Sequence, residues 1–144
     1  MSPFCQMLRV RMYDTDAAGI LYFGNQFRFA HDTFEAMMDV EGWNFQRLFE
    51  VEPFIFVIVH AESDYLGSLH VGDEIEVVAT VTHIGNSSFT LSYHIYKAKV
   101  LVGKAQTVHV CLDKITRSKQ PIPASFRPVL MKYTDAKGIE RAAS

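Results

Sequence analysis

The chain has 144 residues, 49 % of them hydrophobic and 21 % charged, with a formal net charge of −2. That length supports one domain with its own core and leaves little room for a second. The near-neutral balance offers no basic face for nucleic acid, and the longest apolar run, Phe54 to Val59, is too short to cross a bilayer.

The opening MSPFCQMLRVRMYD has no basic region ahead of a long apolar stretch, so we expect no leader and a cytoplasmic location. Met7 to Tyr13 alternates imperfectly and reads as a strand, and Asp14 to Gly24 is a loop rich in turn formers and small residues. From Asn25 to Val40 the period changes. Phe27, Ala30, Phe34, Met37 and Met38 recur at three- and four-residue spacing, which predicts a helix that stops at Gly42. A short connector, Trp43 to Pro53, leads into Phe54–Tyr65, whose continuous apolar start fits a strand covered on both faces. After a turn at Gly72-Asp73, the inward set Ile75, Val77, Ala79 and Val81 alternates with polar residues. Gly85-Asn86 turns the chain into Phe89, Leu91, Tyr93 and Ile95, while Gln106, Val108, Val110 and Leu112 form the last strand. The Pro-punctuated tail has room for one short helix. Cys5 and Cys111 match no metal or redox spacing and read as small hydrophobic filler within strands.

The order is strand, helix, then four strands joined mainly by short turns, which implies an antiparallel meander. Its apolar face needs a cover, and the one long helix carries the matching stripe. We therefore expect an α+β hot-dog domain over residues 1–144, a curved five-stranded antiparallel sheet wrapped around one long central helix. So small a sheet leaves an edge and an outer face uncovered, which pairing with a second copy would remedy.

The stretch Tyr13 to Phe27 places two carboxylates, Asp14 and Asp16, in a small-residue loop just ahead of the helix. Ala17, Ala18 and Gly19 leave space beside Asp16. The amides that open a helix lack intrahelical acceptors and sit at its positive end, so they can hold an oxyanion. A carboxylate facing a polarised carbonyl is an arrangement for acyl transfer. Capping is the commoner use of an Asp at this place, and spacing does not sort Asp14 from Asp16 between the two roles.

The run Asp14-Thr15-Asp16-Ala17-Ala18-Gly19-Ile20-Leu21-Tyr22-Phe23-Gly24-Asn25 resembles the N-terminal signature of the 4-hydroxybenzoyl-CoA thioesterase family. In that signature a D-x-D-x-x-G run passes through a hydrophobic-aromatic stretch to an Asn at the start of the central helix. The likeness extends over nearly the whole chain, including the Gly72-Asp73 turn and the strand from Thr107 to Asp113. Asn25-Gln26-Phe27 and His31-Asp32-Thr33-Phe34-Glu35 look closest to the 1,4-dihydroxy-2-naphthoyl-CoA hydrolases of that family. The resemblance implies hydrolysis of an acyl-CoA, with an aromatic acyl group favoured and no cofactor. It also implies a homotetramer built as a dimer of dimers, with the site at a subunit boundary. Asp16 then falls on the catalytic carboxylate, as nucleophile or general base, and the backbone N–H of Phe23 on the polarising donor. Some relatives have His there, so side-chain assistance of that kind is absent from this chain. Gly19, Tyr22, Asn25, His31, His60, Ser87 and Ser88 are the expected substrate-binding set, with Asn25 orienting the loop or helix start.

The six histidines form no two-His pair at four-residue helical spacing, and no Cys lies at ligand distance, so no metal site is expected. His31, Asp32 and Glu35 are second choices for a catalytic role on the helix, where a polar face is the commoner explanation. His60 and Glu62 share one strand face. The turn from His83 to Ser88 lacks the Arg and Lys with which some relatives hold CoA phosphates, leaving Arg117 and Lys119 as sources of charge. Alternatives kept open are a short-chain or carrier-protein-bound acyl substrate, a hot-dog dehydratase and a non-catalytic acyl-CoA-binding module. The Asp-Thr-Asp loop favours hydrolysis.

Overall fold

A computed structural model of the chain describes residues 2–135; Met1 and residues 136–144 of the expected domain lie outside the described residues. In chain order the elements are β1 (Phe4–Arg9), α1 (Gln26–Val40), α2 (Phe45–Glu50), β2 (Phe54–Tyr65), β3 (Glu74–Ile84), β4 (Ser88–Lys97), β5 (Val100–Asp113) and α3 (Arg127–Lys132). The five strands form one antiparallel sheet in the order β1-β3-β4-β5-β2. A hot-dog arrangement results, with α1 lying on the sheet's inner face.

The expected meander holds for β3-β4-β5 and fails for β2, which lies at the far edge, beyond β5. Crossing three strand spacings takes about 14 Å, and the connection from residue 66 to residue 73 is long enough to span it. A two-residue hairpin would have forced β2 beside β3. Residues 66–73 also dock the loop ahead of α1, because Leu21 N donates to Leu69 O and Val71 N donates to Gly19 O.

The alternation in β3 and β4 points inward as the sequence implies. Ile75, Val77, Ala79, Val81, Phe89, Leu91, Tyr93 and Ile95 are buried against α1. On α1 the fully buried stripe is Phe29, Ala30, Phe34, Met37 and Met38, while Phe27 is only partly covered. Each such side chain contributes roughly 1.5–3 kcal/mol of transfer free energy, offset by chain entropy. Gly42 ends the helix with φ +81°, a conformation available without a Cβ.

Other expectations need correction. On β5 the residues facing α1 are Ala105, Thr107, His109 and Cys111, the opposite set from the Val108 and Leu112 that make the strand legible. Cys5 is exposed, because β1 is an edge strand and its odd-numbered residues point outward; Cys111 is buried as expected. The connector before β2 contains α2, whose first turn is capped by Asn44 Oδ1 accepting Arg47 N at 2.8 Å. The first strand runs from Phe4 to Arg9, and Met12–Asp14 is a 3₁₀ turn. Finally, β2 is not covered on both faces within one chain: Ile58 and Val59 are 46 % and 59 % exposed, beside a register shift between Ile58 and His60.

Gln26, at the start of α1, is buried and pins the helix to the sheet. Its Nε2 reaches Ser63 Oγ at 2.5 Å, Asp64 O at 2.9 Å and Lys104 O at 3.2 Å. Gly103 makes room for it, since a Cβ there would stand 2.5 Å from Gln26 Oε1. Gly103→Ala is therefore expected to displace Gln26 and lower stability by about 1–3 kcal/mol, measurable by urea unfolding. Unchanged stability would show that the helix start is not held in this way.

Candidate active site

The loop from Asp14 to Asn25 folds back on itself. Tyr22 N donates to Asp14 O and Asp16 N to Ile20 O, each at 2.9 Å, with Thr15 and Leu21 forming a bridge between them. Gly19 closes the tip with φ +75°, and its N–H donates to Asp16 O at 3.0 Å. A side chain there would be strained by the backbone angle, although space is open around it.

The two carboxylates have different surroundings. Asp14 is fully buried and accepts Arg11 N at 2.8 Å, Arg28 Nε at 2.5 Å and Arg28 Nη2 at 2.6 Å. Asp14 chiefly, with Asp32 adding charge, holds the Arg28 guanidinium above even its usual high pKa. Asp16 is exposed. Its Oδ1 accepts Ala18 N at 2.8 Å and Ile20 N at 3.3 Å, an Asx turn that fixes the carboxylate plane. Its Oδ2 has no partner among the described residues. Asp14 is thus the structural carboxylate, whereas Asp16 combines a turn role with one free oxygen.

Phe23–Asn25 forms a single 3₁₀ turn running directly into α1. The N–H groups of its first residues, Phe23 included, have no intrahelical acceptor. Asn25 Nδ2 donates to Asp14 O at 2.9 Å, tying the loop to the helix start, and the Tyr65 hydroxyl donates to Phe23 O. Tyr22 stacks on Phe23 with ring centroids 4.7 Å apart, and both rings are exposed. Asp16, Gly19, Tyr22, Phe23 and Asn25 are therefore gathered on one loop.

Two adjoining cavities lie farther along α1. The larger, about 460 Å³, is lined chiefly by Phe34, Phe45, Phe49, Phe56, His31 and His109. The smaller, about 330 Å³, shares His31, Ile58 and His109 and adds Phe27, Tyr93 and Thr107. His31 thus lines both. The Asp16 loop lines neither, so within one chain the candidate carboxylate and the aromatic cavity do not meet. His60 sits beside Glu62 on β2, with Nε2 3.4 Å from its carboxylate. Ser87 and Ser88 belong to the β3–β4 turn and line neither cavity; Arg127 supplies that turn's cation by donating to Gly85 O and Asn86 O. Arg117 and Lys119 are exposed on the connection after β5.

Sequence reasoning missed His109, Thr107 and Tyr93 as a group. Burial pushes the His109 imidazole down to about 3, so the ring is neutral, and it lies between Phe34 and Phe89. The available signal was Thr107 and His109 two apart on a strand, polar residues sharing the face that packs on α1. The aromatic floor from Phe45, Phe49 and Phe56 was illegible, because it is assembled from α2 and the far edge of the sheet. Among the described residues no group of three or more His, Cys, Asp or Glu side chains could hold a metal ion, and no helix is long and apolar enough to cross a membrane.

Comparison with known proteins adds to this geometry. A family model described as the thioesterase-like superfamily matches residues 10–130. The 1,4-dihydroxy-2-naphthoyl-CoA hydrolase of Nostoc punctiforme is 38 % identical over 94 % of this chain and 92 % of its own length. The crystal structure of a 1,4-dihydroxy-2-naphthoyl-CoA thioesterase from Synechocystis superposes with a TM-score of 0.84 at 30 % identity, covering 90 % of this chain and 96 % of that one. A gentisyl-coenzyme A thioesterase, 23 % identical, shares the fold with a TM-score of 0.79 over 88 % of this chain and 98 % of its own. With the fold, the matched residues and these likenesses in agreement, the chain belongs to the thioesterase-like superfamily, as a hot-dog thioester hydrolase of the 4-hydroxybenzoyl-CoA thioesterase type.

Proposed function

We propose that the protein hydrolyses an aromatic acyl-CoA, with 1,4-dihydroxy-2-naphthoyl-CoA the favoured substrate, and that Asp16 attacks the thioester or activates the attacking water. The carrying observation is the aromatic-lined cavity of about 460 Å³, which shares His31, Ile58 and His109 with a second of about 330 Å³. That size lies in the range of small-molecule sites, and rings of Phe suit a flat aryl group. The substrates named for the relatives from Nostoc punctiforme and Synechocystis support the same choice.

The separation of Asp16 from the cavity supports a site shared between two copies. Gln26 and Tyr65 tie the helix start to the 63–65 end of β2, whereas Phe56 to Ile58 border the cavity. Those points are about 20 Å apart along the strand. β2 is an edge with exposed apolar residues, the kind of strand that recruits another. Antiparallel pairing of two β2 strands about His60 would set Phe56 of one copy opposite Asp64 of the other. One copy's Asp16 and Phe23 would then stand over the other copy's cavity. Two such dimers back to back would give the proposed tetramer.

In this arrangement Asp16 Oδ2 is the reacting oxygen, since Oδ1 is held by the turn. As nucleophile, it adds to the thioester carbon, and the carbonyl oxygen gains negative charge at the Phe23 N–H. The C–S bond then breaks, CoA leaves as thiolate, and water opens the mixed anhydride to release the acid. As general base, Asp16 takes the proton of a water that adds directly. One such amide donor stabilises the oxyanion by about 3 kcal/mol. Two unpaired thiols, one of them exposed, suit the reducing cytoplasm as the place of action.

A thiol-release screen over aryl, short-chain and long-chain CoA esters tests the substrate class, with aryl esters expected to have the highest kcat/KM. Preference for short aliphatic esters would overturn the choice. The two carboxylates should separate cleanly. Asp16→Asn is expected to keep its melting temperature and lose at least about 100-fold in kcat. Asp14→Asn is expected to lose about 2 kcal/mol of stability, because a buried partner of Arg28 loses its charge while Arg28 itself keeps some water contact. A destabilised Asp16→Asn, or an Asp16→Asn with wild-type turnover, would reverse the assignment. Light scattering with activity over a dilution series should show both falling together; a fully active monomer would rule out the shared site.

A further inference from the structure

Three polar side chains form a chain at the floor of the aromatic cavities, and the hydrolytic step uses none of them. The Tyr93 hydroxyl lies 3.2 Å from Thr107 Oγ1, which lies 2.8 Å from His109 Nε2. All three residues are buried, at most 5 % exposed. The His109 ring is stacked on Phe89 at 4.8 Å with planes 3° apart, and Phe34 lies 4.6 Å away on centroids, so the ring orientation is fixed by packing.

Hydrogen bonding within the chain sets its direction. Burial raises the Tyr93 pKa far above the ordinary phenol range, so the phenol keeps its hydrogen. That hydrogen needs an acceptor, and Thr107 Oγ1 is the one partner of the Tyr93 hydroxyl among the described residues. Tyr93 therefore donates to Thr107, and the Thr107 hydrogen has His109 Nε2 as its one remaining partner among the described residues, so Nε2 accepts. The reverse order would bury a phenol hydrogen with no acceptor, at a cost of about 1–3 kcal/mol. A neutral imidazole whose Nε2 accepts must carry its single hydrogen on Nδ1. Nδ1 has no partner among the described residues, and His109 lines both cavities. The cavity floor thus presents a neutral N–H donor between the rings of Phe34 and Phe89, with His31, Glu35 and Arg28 as the charged or ionisable side chains elsewhere in the lining.

From this geometry we propose that His109 Nδ1–H is hydrogen-bonded by an oxygen on the ring of the acyl group, which makes His109 the residue that selects oxygenated aryl groups over bare ones. The proposal rests on the reading of the cavity as an aryl-acyl pocket. A phenolic hydroxyl, phenolate or keto oxygen satisfies the donor. A bare naphthoyl or benzoyl ring covers the N–H without pairing it, and the unmet donor weakens binding. Tyr93 and Thr107 act through His109 as positioning residues that set its tautomer.

Two measurements that do not depend on turnover test the assignment. Nitrogen NMR of the wild-type protein labelled at histidine is expected to show His109 protonated at Nδ1 and bare at Nε2 at neutral pH. Thr107→Val, which removes the hydrogen that Nε2 accepts, should let the ring mix its two tautomers. Calorimetric binding of 1,4-dihydroxy-2-naphthoate and 2-naphthoate to the wild type should favour the hydroxylated acid by about tenfold. His109→Phe should collapse that ratio toward one. Thr107→Val, which keeps the imidazole but releases its tautomer, should reduce the ratio partway and serves if His109→Phe folds poorly. An Nε2-protonated His109, no preference in the wild type, or a preference that survives both variants overturns the proposal. Thiol release from the matching CoA esters is followed in parallel. Loss of hydrolysis with the binding preference intact would fell the thioesterase substrate choice and leave His109 standing; turnover without the preference would do the reverse.

Discussion

The arrangement of the site depends on one buried ion pair. Asp14 has no solvent contact and is matched by two nitrogens of Arg28, one turn into the central helix. Burying a carboxylate is unfavourable unless its oxygens are filled, and here the Arg28 fork and Arg11 N fill them. The backbone oxygen of the same residue accepts Tyr22 N and Asn25 Nδ2. One residue thereby joins the loop's entrance, its exit and the helix. With that clamp in place, Asp16 sits two residues later on a closed turn, and Phe23 opens the helix with its N–H unpaired. Two carboxylates separated by a single threonine take opposite roles because one is enclosed and the other faces water.

The second constraint is topological. Because β2 crosses to the edge beyond β5, the helix start is tied to one end of an edge strand and the aromatic cavity opens at its other end. Within one copy the loop carrying Asp16 lines neither of the two aromatic cavities. Edge strands with apolar residues such as Ile58 and Val59 exposed carry unpaired backbone groups, and the proposed two-fold pairing would satisfy them while bringing one copy's loop to the other copy's cavity.

Inside the apolar layer two short chains join polar side chains, while Gln6 Oε1 on the edge strand β1 is buried with no partner among the described residues. Gln26 meets Ser63, Asp64 and Lys104 in the space that Gly103 leaves open. Tyr93, Thr107 and His109 form the second chain, with contacts of 3.2 Å and 2.8 Å, beside the two cavities that His109 lines. Such chains are tolerable in a low-dielectric interior because each link fills a hydrogen-bonding group that would otherwise be buried unmet.

Much of this was legible in the sequence, since periodicity records which side of an element is covered. Ile75 to Val81 and Phe89 to Ile95 point inward as their alternation requires, Met37 and Met38 lie on the helical stripe, and Gly42 stops the helix. The loop before the helix was legible as a loop too, because Asp14 to Asn25 opens with a contiguous run of turn formers and small residues. The sequence could not say which Asp was buried, since that depends on Arg28 reaching back across a folded loop. It could not place β2 at the far edge, because a long connection permits either neighbour. It hid the inward face of β5, where Thr107 and His109 replace the apolar residues that periodicity looks for. It also left Cys5 misread, since a strand at an edge buries only one of its faces in a single chain. Local pattern fixes what each segment becomes; which residues meet across segments is decided only when the helix, the sheet edge and the connecting loops close around a shared volume.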